Sequence, residues 1–173
     1  MSIGLEHGIV RLAGHDPGWA GLFEAEKARL QAALGGLVLA VEHVGSTAIP
    51  GIPAKPIIDI GAGVENFERA AACIPALEGL GYQYRGENGI PRRHYFVLGE
   101  PRRFHLHMLE TGSKEWSDHL LFRDFLRRDR QAAAAYGQLK RALAERYPHD
   151  REAYQAGKTT LIEAILEQAG RQG

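Results

Sequence analysis

The stretch Val41–Gly61, VEHVGSTAIPGIPAKPIIDIG, constrains this chain more than any other. An apolar strand is predicted over Leu37–Val44 and runs into the turn Gly45-Ser46. A loop punctuated by Pro50, Gly51, Pro53 and Pro56 follows, and a second apolar strand then carries one acid, Asp59, in its middle. Gly45 has no Cβ, so backbone there can come close to a ligand. Ser46 and Thr47 add hydroxyls and N–H groups, and a helix start here would aim those N–H groups at an anion. Side chains alternate along a strand, so Asp59 faces away from Ile58 and Ile60. The pattern sets a phosphate-sized cradle beside a carboxylate able to hold a metal.

The remaining composition narrows the class. With 173 residues, 45% of them hydrophobic, positions 1–173 have the size and apolar content of a single globular domain. No apolar run approaches the roughly 18 residues of a membrane span, and no export signal is visible, so a cytoplasmic protein without a membrane partner is expected. The single cysteine, Cys73, lies in Ala71-Ala72-Cys73-Ile74 and reads as a buried small hydrophobe rather than a nucleophile. Basic and acidic residues balance at 21 each, which argues against a grip on long nucleic acid. Arg85, Arg92, Arg93, Arg102 and Arg103 concentrate in the middle of the chain. They suit a small phosphorylated ligand; solvated turn arginines are the alternative.

Periodicity supplies the elements. Asp16-Pro17 predicts a helix start, with Trp19, Leu22, Phe23, Leu30 and Leu34 on its apolar stripe and Gly35-Gly36 at its end. Ile9–Leu12 reads as a short strand or lead-in. Asn66 caps a predicted helix over Phe67–Leu80. Three strands, Tyr82–Arg85, His94–Leu98 and Arg103–Leu109, are joined by turns at Glu87-Asn88-Gly89 and Gly99-Glu100-Pro101. Helices are then predicted from Ser113 to about Arg128, from about Arg130 to Arg146, and from Asp150 to about Ala169. The order argues an α+β fold, a mixed sheet with helices packed on one side and a helical C-terminal third.

Asp59 and two histidines are the candidate chemistry. A lone acid in an apolar strand is expensive to bury unless it is paired or holds a metal. In Arg103-Phe104-His105-Leu106-His107-Met108 the apolar residues alternate with the histidines, so His105 and His107 share one face, opposite the core. Asp59 with both imidazoles would suit Zn²⁺, Mn²⁺ or Ni²⁺ more than Mg²⁺. A hydrogen-bonded pair on a wet sheet face is the alternative. Trp116, His119, Leu120 and Arg123 share one helical face, the first and third for the core. Gly157-Lys158-Thr159-Thr160 is not a P-loop, because position 152 is Glu152 and no strand precedes it. Lys158 then reads as a solvated helix lysine, with a charge contributed to a ligand site as the alternative.

The chain resembles the GrpB family of the DNA polymerase β nucleotidyltransferase superfamily. The likeness rests on His43–Gly51 with Lys55–Ile60, on His105-Leu106-His107, on Gly112–Trp116 with His119-Leu120 and Phe122–Arg127, and on Ala153–Lys158. It implies a minimal nucleotidyltransferase-like fold and metal-dependent transfer of a nucleotidyl group to an unknown acceptor, with Mg²⁺ or Mn²⁺, or alternatively Zn²⁺, as cofactor. Asp59 and Ser46 would then be catalytic. His43, Gly45, Ser46, Thr47, Lys55, Arg93 and Arg123 would bind a nucleotide or other small phosphorylated ligand, and Asp59, His105 and His107 the metal. In active superfamily members a second acid follows the first by two residues; here that position is Gly61. The alternatives are therefore a non-catalytic module binding a nucleotide or coenzyme A-type ligand, and a His/Asp metal-dependent hydrolase. Relatives fused to dephospho-CoA kinase point to the same ligand class.

Overall fold

The computed structural model describes residues 3–171. Helix α1 spans Gly18–Leu34. Asp16 starts it as expected, its Oδ1 accepting from the Gly18 amide at 2.9 Å. Strand β1 is Ala40–Val44, shorter than predicted, because Gly35–Leu37 close a 3₁₀ turn before it. Strand β2 is Ile58–Val64. The helix expected over Phe67–Leu80 is broken into α2 (Phe67–Ala70), a 3₁₀ turn (Ala71–Cys73) and α3 (Ile74–Gly79). Pro75 is the cause: it lacks the N–H that would continue one helix, and is tolerated only in the first turn of a new one.

Strands β3 (Gln83–Tyr84), β4 (His94–Leu98) and β5 (Phe104–Glu110) complete a five-stranded sheet. Its order is β1-β2-β5-β4-β3. Only β2 and β5 run parallel; the other pairs are antiparallel. The mixed sheet is thus as expected, but Ile9–Leu12 forms no strand. The N-terminal segment meets the rest of the fold through isolated bridges, Leu5 to Arg102 and Ala13 to Ala54.

Helices α4 (Lys114–Arg128), α5 (Arg130–Arg146) and α6 (Arg151–Arg171) form the helical C-terminal third. Ser113 caps α4 and Asp150 caps α6, as predicted. Asp129 caps α5, its Oδ1 accepting from Ala132 at 2.9 Å. None of the helices described is long and apolar enough to cross a membrane.

Helices cover both faces of the sheet, not one. On the first face Ile58, Ile60, Phe96, Leu106 and Met108 pack with Trp19, Phe23, Leu30 and Leu77 of α1 and α3. Cys73 is buried within this core, where loss of water pushes its thiol pKa up. The second face carries Asp59, His105 and His107, and helices cover it as well. Trp116 of α4 lies over Gly61 and Gly63, and a second apolar cluster joins Ile49 and Ile52 to Phe125, Tyr136 and Ile165. Ile49 and Ile52 tie the punctuated loop into the helical third.

Candidate functional site

Between that second face and helices α5 and α6 lies a cavity of about 340 Å³. The register explains its floor: Asp59 pairs with His105 and Gly61 with His107 across parallel strands, while Tyr95 opposes His107 on β4. The Gly45-Ser46-Thr47 turn forms one wall. Gly45 has φ 70° and ψ −171°, a conformation almost confined to glycine. A Cβ there would lie 2.8 Å from Asp59 Oδ2. Ser46–Ala48 make only a three-residue 3₁₀ turn, so the helix start expected at Ser46 is absent.

Asp59 is held by both histidines. His107 Nε2 lies 2.9 Å and His105 Nδ1 3.5 Å from Asp59 Oδ1. Burial alone would raise the Asp59 pKa, but these two donors overcome it and hold the carboxyl well below the usual range. The stabilisation is therefore complete above the ordinary carboxylate pKa and is lost as pH falls through the folded value. On the far side, Arg93 Nη1 lies 3.2 Å from His107 Nδ1. A guanidinium only donates, so Nδ1 must accept and the ring proton sits on Nε2, toward Asp59. Arg93 is buried over the Tyr95 ring and gives its other N–H groups to the Glu87 and Asn88 carbonyls.

That geometry tests the implied metal. With its proton on Nε2, His107 has no lone pair there to offer. Gly61, where the resemblance implies a second acid, is roofed by Trp116, whose Cζ3 would lie 3.2 Å from any Cβ. Among the described residues no group of three or more His, Cys, Asp and Glu side chains stands as a metal cage. The donor set as arranged fits a carboxylate braced by two histidines, and does not fit a divalent cation.

The charge of the cavity points elsewhere. Lys55, Arg93, Lys140, Arg151 and Lys158 line it against a single carboxylate, Asp59. Lys158, read from the sequence as solvated, is buried at 8% exposure, its Nζ 4.4 Å from the Tyr154 ring centroid. Lys140 is buried at 2%, gives a hydrogen bond to the Pro53 carbonyl, and lies 5.3 Å from the Tyr136 ring. Burial lowers the pKa of Lys158 to about 7 and that of Lys55 to about 8, and that of Lys140 well below the ordinary range, with neighbouring cations adding to each. Two buried polar atoms on the wall, His105 Nε2 and Tyr154 Oη, have no hydrogen-bond partner among the described residues. Both are places where a ligand could supply one.

Sequence reasoning missed Lys140 and Arg151, and held a charge at the ligand site only as the lesser reading of Lys158. A signal was there: Lys158 falls at helical spacing within the apolar stripe Tyr154, Leu161, Ile165, Ala169. Of the residues it did single out, Gly45, Ser46, Thr47, Lys55, Asp59, Arg93, His105 and His107 meet at the cavity. His43 and Arg123 do not line it. His43 stacks on Phe23 at 4.8 Å and meets Thr47 Oγ1 at 2.9 Å, bracing the turn from behind. Arg123 pairs with Glu42 at 2.6 Å and Asp124 at 2.8 Å and donates to the His43 carbonyl. Arg123→Met should accordingly cost about 2–3 kcal/mol of stability by orphaning a partly buried acid and a carbonyl. Anion affinity, measured on the same sample, should stay within about twofold of the parent.

The sheet, the helical third and this cationic cavity define an α+β protein, a mixed five-stranded sheet with a basic cavity beneath its C-terminal helices. The GrpB protein family model matches residues 9–168, and the chain belongs to the GrpB family. It is 43% identical over 159 residues to a UPF0157 protein of Pseudomonas aeruginosa, an alignment covering 89% of this chain and 65% of that protein. It is 40% identical over 154 residues to a UPF0157 protein of Bacillus subtilis, covering 88% of this chain and 45% of that one. The chain thus spans less than two thirds of these relatives' length. Its fold matches the crystal structure of GrpB from Enterococcus faecalis with a TM-score of 0.88 at 35% identity, covering 94% of this chain and 98% of that one. A dephospho-CoA kinase of Mycolicibacterium paratuberculosis is 33% identical over 175 residues, covering 86% of this chain and 43% of the kinase.

Proposed function

We propose that this chain binds a small phosphorylated ligand, of nucleotide or coenzyme A type, in the cavity between the sheet and α5–α6. The observation that carries this reading is the charge of the lining: Lys55, Arg93, Lys140, Arg151 and Lys158 face Asp59 as the one carboxylate. Buried cations without matching acids are costly, and an anionic ligand is the partner that offsets the cost. The likeness of part of a dephospho-CoA kinase to this chain supports a ligand of that class. The Gly45-Ser46 turn contributes backbone close to Asp59, and the histidines hold that carboxylate in place.

A second reading, nucleotidyl transfer on a metal at Asp59, has one observation in its favour. The Gly45-Ser46 turn lies beside the Asp59 carboxylate, close enough that a Cβ on Gly45 would sit 2.8 Å from Oδ2. In that reading the residues that would hold the ion are also the ones braced by hydrogen bonds, so they would have to rearrange.

Asp59→Asn separates the two. Removing a negative charge from a cationic cavity should tighten ATP and coenzyme A binding by about threefold or more, at a stability cost of about 1–2 kcal/mol from the lost charge-assisted hydrogen bonds. Equilibrium dialysis of parent and variant with and without Mn²⁺ reads this out. Metal-dependent binding that disappears in the variant would favour transfer; failure of either protein to bind any phosphorylated compound would sink the binding reading.

A further inference from the structure

We infer that the buried lysines take the place of a divalent cation: the cavity receives the di- or triphosphate chain of its ligand metal-free, with Lys55, Lys140 and Lys158 as the neutralising charges. This rests on the binding reading above and specifies both the ligand's reactive part and its charge state. Three observations carry it.

The first is placement. Lys158 on α6 and Lys55 in the loop lie 4.4 Å and 5.5 Å from the same Tyr154 ring, and Lys140 approaches from α5 beside Tyr136. Among the described residues neither Lys140 nor Lys158 forms a salt bridge, although both are more than nine-tenths buried. Three lysine amines converging on one space, with Arg93 and Arg151 beyond them, match a chain of several phosphate oxygens better than a single phosphate.

The second is the donor geometry at Asp59. His105 and His107 both turn onto Oδ1 of the carboxylate, and the space for a second acid at Gly61 is filled by Trp116. A polyphosphate entering here would bring its own negative charge to an environment that supplies cations as side chains. Mg²⁺ on the ligand would cancel the charge that the lysines need, so it should compete with the protein.

The third is like-charge crowding. Lys158 faces Arg151 on its own helix, Lys140 on α5, Lys55 in the loop, Asp59 on β2, His105 on β5 and Arg93 ahead of β4. Lys140 also feels Arg141 beside it. Burial first, and this crowding second, lowers the pKa of both Lys140 and Lys158. A polyanion reverses the balance, so binding draws protons in and weakens as pH rises through the range of about 7 to 8. Beyond the cavity, a groove holding Arg85 and Arg102 shares Asn88, Tyr95, Arg151 and Gln155 with it, giving the rest of a nucleotide a basic exit path.

Isothermal titration of the whole chain with AMP, pyrophosphate, tripolyphosphate, ATP and coenzyme A tests this, with EDTA and then with excess Mg²⁺. Runs at about pH 6.5 and about pH 8.5, in buffers of different ionisation enthalpy, report proton uptake. In EDTA the di- and triphosphates should bind at least about tenfold more tightly than AMP. Mg²⁺ should leave affinity unchanged or weaken it, and affinity should fall about tenfold or more between the two pH values. Lys158→Gln should lower proton uptake and cost about tenfold in triphosphate affinity, with an unchanged circular dichroism spectrum showing that it folds. Tripolyphosphate binding as tightly as ATP would identify an inorganic chain as sufficient; tighter ATP would add the nucleoside, and either supports the inference. A strict requirement for Mg²⁺, or AMP binding as tightly as ATP without proton uptake, would overturn it and leave the binding reading standing. No binding of any phosphate compound would remove both.

Discussion

Lys158→Met should raise the melting temperature at pH 7 while weakening triphosphate binding about tenfold or more. The folded chain holds this amine near pKa 7, against an ordinary value of 10.5, because burial first and the Lys55 charge second penalise the ammonium form. The unfolded chain therefore binds more protons than the folded one between those values, and stability rises with pH across that window. Below about pH 7 the full penalty of a buried cation is present. Methionine has similar length, packs against Tyr154, and removes the penalty; the lost cation–π contact costs back about 1 kcal/mol. A net gain of about 2 kcal/mol is expected, or roughly 4–8 °C for a chain of this size. A differential scan at pH 7 and again near pH 10 checks the sign, since the gain should shrink toward the higher pH. Residues retained for binding at the expense of stability behave in this way. A lower melting temperature with unaltered affinity would show that the amine holds the fold together instead.

Gly45→Ala should destabilise the protein by about 3 kcal/mol. Its backbone, φ 70° and ψ −171°, is costly for any residue with a Cβ, by about 1–3 kcal/mol. The added methyl also lands 2.8 Å from Asp59 Oδ2. The turn or the carboxylate must give way, and the hydrogen bonds from His105 and His107 are lost with it, a further cost of about 1–2 kcal/mol. Gly51 provides the comparison: its φ is 81°, but no atom lies within 4 Å of a Cβ there. Gly51→Ala should cost only about 1 kcal/mol from backbone strain. Urea midpoints at constant m read both. Equal losses at the two glycines would mean that the Asp59 contact contributes nothing.

Much of the fold was legible from local signals. Ser113 and Asp150 announced their helices because a short oxygen-bearing side chain before an apolar periodic run satisfies free amides. Alternation in Phe104–Met108 put His105 and His107 on one face because a strand's side chains must alternate. Where a local signal conflicted with another, the reading failed. The apolar period over Phe67–Leu80 predicted one helix, but Pro75 interrupts its hydrogen bonds, leaving two short pieces.

The site divides along the same line. The sequence by itself determined the Gly45-Ser46 turn, the strand bearing Asp59 and the two-histidine face, since each depends on neighbours a few residues away. Only the tertiary structure decided what those groups face. Lys140, Arg151 and Lys158 lie more than eighty residues beyond Asp59 in the chain, and reach it because Ile49 and Ile52 draw the loop into the apolar cluster of α4–α6. Whether a helix lysine is solvated or buried depends on which face its helix turns to the sheet. That choice is fixed by packing across the whole molecule, where non-directional apolar burial sets the positions and the polar groups caught inside must find partners.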